Sequence, residues 1–109
     1  MAADDPLAFI KTCVRRGQVR WTHHATMRLR KRAVSVQAVL GAVDSFEVIE
    51  KYPRDKYLPS YLIRAQHGQM VFHLQAATDV QGENVRIVTV YVPNPEEWDE
   101  DLRVRREPQ

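Results

Sequence analysis

The chain has 109 residues, 44% of them hydrophobic, with one cysteine and a formal net charge of +2. That length suits one hydrophobic core and the apolar content excludes a disordered tail, so a single domain over residues 1–109 is expected. Lone Cys13 excludes an internal disulfide, and no run approaches the ~18 to 20 apolar residues that span a bilayer; a cytoplasmic protein without membrane contact is the expectation.

The charge is unevenly spread. Lys11, Arg15, Arg16, Arg20, Arg28, Arg30, Lys31 and Arg32 fall within a stretch from Pro6 to Val43 that holds no carboxylate. Glu96, Glu97, Asp99, Glu100 and Asp101 gather near the other end. Such segregation creates a side that attracts polyanions.

Asp5-Pro6 reads as an N-cap followed by proline at the first helical position, and Leu7, Ile10 and Val14 recur on one face until Gly17. Gln18 to Trp21 reads as an extended link. Thr22 caps a second helix reaching about Arg32, and Ser35 caps a third, whose Val36, Val39, Leu40 and Val43 follow the i, i+3, i+4, i+7 pattern. From Phe46 the period changes, predicting strands over Phe46 to Tyr52, Tyr61 to Gln66, Gln69 to Ala77 and Val85 to Val92. His67-Gly68 reads as a hairpin turn. Pro93 and Pro95 end the sheet, Glu96 to Leu102 reads as a last helical turn, and Val104 to Gln109 as a frayed tail. The expected fold class is α+β, with N-terminal helices packed on a mainly antiparallel sheet of about four strands.

On the second helix His24, Arg28 and Arg32 are spaced four and four, which makes one ridge with Lys31 beside it and Ala25 and Leu29 facing inward. An imidazole beside two guanidiniums suits phosphoryl transfer, since Arg stabilises phosphate charge while His moves a proton. The competing reading is a solvated basic face. His73 lies opposite in facing to Met70, Phe72, Leu74 and Ala76 on its strand; with a His67-Gly68 turn, Leu62 opposes it and Arg64 lies diagonally beside it. Its competing reading is a satisfied sheet histidine. Tyr57, Tyr61, Tyr91 and Trp98 can stack on unpaired bases or serve as core, and core is the expectation for most. No Cys-x-x-Cys, His-Glu-x-x-His or Gly-rich phosphate loop occurs, so neither a metal nor another cofactor is implied.

His24-Ala25-x-x-Arg28-x-x-x-Arg32, followed by Val34-Ser35 and Val39, resembles the opening motif of a small bacterial family, domain of unknown function 4258. The resemblance continues through Tyr61-Leu62, Val71-Phe72-His73 and Ile87-Val88-Thr89-Val90-Tyr91-x-Pro93, and covers residues 22–98. That family is similar to the RelE and BrnT toxin superfamily of compact ribonucleases, often encoded beside an antitoxin. The resemblance implies a RelE-like fold and metal-independent RNA cleavage, in which the substrate 2′-hydroxyl attacks its own phosphodiester. On this expectation Arg28 and Arg32 hold the scissile phosphate, His24 and His73 share the acid and base work, and Tyr91 assists by hydrogen bonding. Arg20, His23, Lys31 and Arg64 contact the RNA, and an antitoxin is the expected protein partner. The acidic 96–101 segment departs from the strongly basic character of many ribosome-dependent toxins. The alternative is a non-catalytic RNA- or protein-binding module that uses the same basic helix face.

Overall fold

The computed structural model describes residues 4–31 and 34–107, with Lys31 by its backbone alone. Three helices, α1 (Pro6–Arg15), α2 (His23–Lys31) and α3 (Val36–Gly41), accompany five strands: β1 (Val19–Trp21), β2 (Glu47–Tyr52), β3 (Ser60–His67), β4 (Met70–Asp79) and β5 (Asn84–Tyr91). Side-chain oxygens start each helix. Asp5 accepts from Ala8 N, Thr22 from Ala25 N and Ser35 from Ala38 N, each capturing an amide that lacks a partner within the helix.

The strands form one sheet in the order β1-β5-β4-β3-β2. Three pairings are antiparallel, as expected, but Val19–Trp21 runs parallel to Val85–Ile87, which makes a five-stranded mixed sheet. The segment expected to be a link is therefore a strand. Its backbone groups lie against an edge of β5 that nothing else pairs, and hydrogen bonding there is the cheapest way to satisfy both. After Trp21 the chain stays on β5: Thr22 N donates to Ile87 O at 3.1 Å and its hydroxyl to Val88 O at 2.9 Å, so α2 starts anchored to that strand.

One sheet face supplies Ile63, Ala65, Phe72, Leu74 and Ile87 to a core closed by Ile10 and Val14 of α1, Ala25 of α2 and Val39 of α3. The β3–β4 turn corrects the expected register. Gly68 and Gln69 occupy it, with Gly68 at φ +62 taking the left-handed backbone a tight hairpin needs, and His67 pairs Met70. Arg64 consequently lies directly across from His73, and Leu62 across from Gln75. Strand alternation still puts Arg64 and His73 on the face away from the helices.

That second face is covered too. Residues 94–106 hold one hydrogen-bonded turn, at Asn94 to Trp98 rather than over Glu96 to Leu102, and no frayed tail; they fold back over the sheet as a strap in which Trp98 bridges Arg105 in antiparallel fashion. Asp99 organises the reversal, its Oδ1 accepting from Arg103 N at 2.9 Å and its backbone N donating to Val104 O at 2.8 Å. Arg103 reaches Glu47 and Arg105 reaches Glu50, both on β2, while Trp98 is 1% exposed. Burying that indole contributes on the order of 2–3 kcal/mol, more than two partly exposed ion pairs can.

Candidate functional site

His73 is fully buried, and both of its ring nitrogens are engaged. Nε2 lies 2.8 Å from the carbonyl of Leu102, which can only accept, so Nε2 carries the hydrogen and donates. Nδ1 then accepts from the Tyr91 hydroxyl at 3.1 Å. The rings of Trp98 and Tyr91 meet the imidazole edge to face, at centroid distances of 4.5 and 5.3 Å. Burial holds the His73 pKa below the ordinary histidine value; Arg64 and Arg105 push the same way, against the Leu102 bond and Glu50.

Charged groups ring this pair. Arg64 Nε donates to the Asp101 carbonyl at 2.9 Å, and Arg105 Nε donates to Glu50 at 2.8 Å while its guanidinium lies 4.6 Å from the Trp98 ring centroid. Burial alone would raise the Glu50 pKa, but hydrogen bonds from Arg105 and the Tyr52 hydroxyl outweigh it and hold the carboxyl below its usual range. Burial pushes the Tyr91 phenol up, opposed by Arg105. The arrangement is a neutral imidazole joined to a phenol, with a carboxylate–guanidinium pair alongside.

The second group of expected residues lies on α2. Ala25 is fully buried and Leu29 packs on the core, which turns His23 and His24 into solvent. At 100° per residue, His24 and Arg28 flank one side of this buried stripe and Thr26 and Arg30 the other. Arg28 is half-buried, and its Nε is shielded with no acceptor among the described residues. Arg20 is exposed on β1. Arg32 and the side chain of Lys31 lie outside the described residues. Among the described residues, Arg15, Arg86, Arg103 and Arg105 form salt bridges, whereas Arg20, Arg28 and Arg30 form none.

The structure thus joins His73, Tyr91 and Arg64 in one region. His24 and Arg28 supply none of the hydrogen bonds or ring contacts made by His73, all of which come from β5 and the strap. Tyr61 is core, Trp98 is the strap residue buried against His73, and Tyr57 stands 83% exposed in the β2–β3 loop. Sequence reasoning missed Glu50, Tyr52 and Arg105. The available signal was the arginine alternation Arg103-x-Arg105 after Trp98, a strand-like period in a segment that composition marked as tail. Among the described residues no group of three or more His, Cys, Asp or Glu side chains could hold a metal ion, and no helix is long and apolar enough to cross a membrane.

A mixed five-stranded sheet, helices on one face and a covered histidine–tyrosine pair on the other, defines a small α+β domain. The chain belongs to the family described as Domain of unknown function (DUF4258), whose profile matches residues 21–92. The matched span holds β1's last residue, α2, His73 and Tyr91, and it ends before the strap. No curated protein and no solved structure matches the chain.

Proposed function

We propose that the protein binds RNA through the basic flank of α2, with Arg28 on a backbone phosphate and His24 beside it. The carrying observation is Arg28, whose shielded Nε has no acceptor among the described residues, on a chain segment that holds no carboxylate from Pro6 to Val43. Arg28 forms no salt bridge among the described residues, and the guanidinium nitrogens beyond its shielded Nε are the ones a phosphate oxygen can meet. The test is retention of labelled single-stranded RNA in the presence of a chelator at several salt concentrations. Salt-sensitive retention of intact RNA supports the reading; failure to bind at low salt overturns it.

A second reading, a metal-independent endoribonuclease with a RelE-like fold and an antitoxin partner, rests on a different observation. His73, Tyr91, Glu50 and Arg105 place proton carriers and a cation in one cluster. This reading predicts RNA fragments ending in 2′,3′-cyclic phosphate in the same incubation, and their loss in Tyr91→Phe.

A further inference from the structure

Between α2, α3 and the end of β1 the surface opens into a groove of about 430 Å³, lined by Trp21, Thr26, Leu29, Arg30, Ser35 and Val36. The groove continues into water along α3. Val36 and Leu40, spaced four apart and therefore on one helix face, are 39% and 41% exposed, although Ala38 and Val39 between them are buried. Among the described residues nothing covers this aliphatic stripe.

We propose that the groove docks an acidic amphipathic helix of a partner protein, its apolar residues seated on Trp21, Leu29, Val36 and Leu40 and its carboxylates facing Arg30. Two features select this occupant. Leu29 and Val36 in the lining, with Leu40 just beyond it, offer branched aliphatic contacts to leucine-like side chains in the helix-in-groove mode, and Trp21 adds an apolar wall. The surrounding elements carry cations and no carboxylate from Pro6 to Val43, so an acidic helix is complementary. A helix from a second copy of this chain would bring like charge, because α1, α2 and α3 all lie in that same stretch. This inference stands apart from RNA binding: Thr26 and Arg30 flank the side of α2 away from His24 and Arg28.

The test uses the full chain and two labelled helical peptides that share a leucine stripe at i, i+3, i+4 and i+7, one carrying glutamate and the other lysine at the remaining positions. Anisotropy should show binding of the glutamate peptide alone. The double variant Val36→Ser and Leu40→Ser should weaken it by at least about tenfold while circular dichroism and RNA retention stay as in the parent chain. No binding of the glutamate peptide, equal binding of both peptides, or unchanged affinity in the double variant would overturn the proposal. So would a concentration-dependent dimer that the double variant abolishes, since the occupant would then be a second copy.

Discussion

The Nε2–H of His73 is donated to the backbone carbonyl of Leu102, 2.8 Å away, across 29 positions of sequence. This one bond fixes the tautomer, makes Tyr91 the donor to Nδ1, and ties the strap to the middle of the sheet. Replacing His73 with Ala leaves a cavity under Trp98 and strips a partner from both a part-buried carbonyl and a hydroxyl. A loss of about 2–4 kcal/mol is expected in urea unfolding. His73→Phe, which refills the volume but pairs neither group, should recover only part of it.

Acid should weaken the fold in two stages. The folded His73 pKa is depressed, so the neutral form is the one the fold favours. Its contribution is complete above the unfolded value of about 6.5 and is lost as the pH falls from there through the folded value. Glu50 is also depressed, and its contribution is present above the unfolded value of about 4.3 and lost as the pH falls through its folded value. Thermal midpoints measured across this range should decline first near the histidine window, and His73→Phe should remove that first decline alone.

Arg28→Met separates binding from stability. Methionine keeps the aliphatic packing and discards a guanidinium whose Nε has no acceptor among the described residues. Unfolding free energy should stay within about 0.5 kcal/mol of the parent. RNA affinity should fall, and the slope of log K against log salt should become shallower by about 0.7, the contribution of one phosphate contact on a single strand.

Asp99→Ala should loosen the strap without unfolding the sheet. The variant removes the Oδ1 that accepts from Arg103 N and, at 3.3 Å, from Val104 N. A lower urea midpoint is expected, with faster amide exchange over residues 99–105 and little change in β3 and β4.

Much of the fold was legible in short-range chemistry. Asp5, Thr22 and Ser35 announced the three helices because a cap is written within four residues, and Ala25 and Leu29 announced the buried side of α2 because helical period does the same. Non-local pairing was not legible. Val19–Trp21 is too short to display alternation, and its partner lies across the chain in β5. The hairpin register turned on whether Gly68 opens or closes the turn, a choice of one residue that dipeptide chemistry leaves open. The strap was hidden by its acidic composition; what holds it, Trp98 on His73 and Arg105 on Glu50, joins residues far apart in sequence. For the site, the facing of His73 away from the helices followed from alternation. The cover over it, and the absence of His24 from its contacts, depended on tertiary packing.

Binding of RNA on the basic flank of α2 is tested most directly by amide chemical-shift mapping of the full chain on addition of single-stranded RNA at low salt. Perturbations centred on His24 and Arg28 are expected, with the strap and the His73 region unmoved. Shifts centred on Tyr91, Trp98 and Leu102, or no shifts at all, would contradict it.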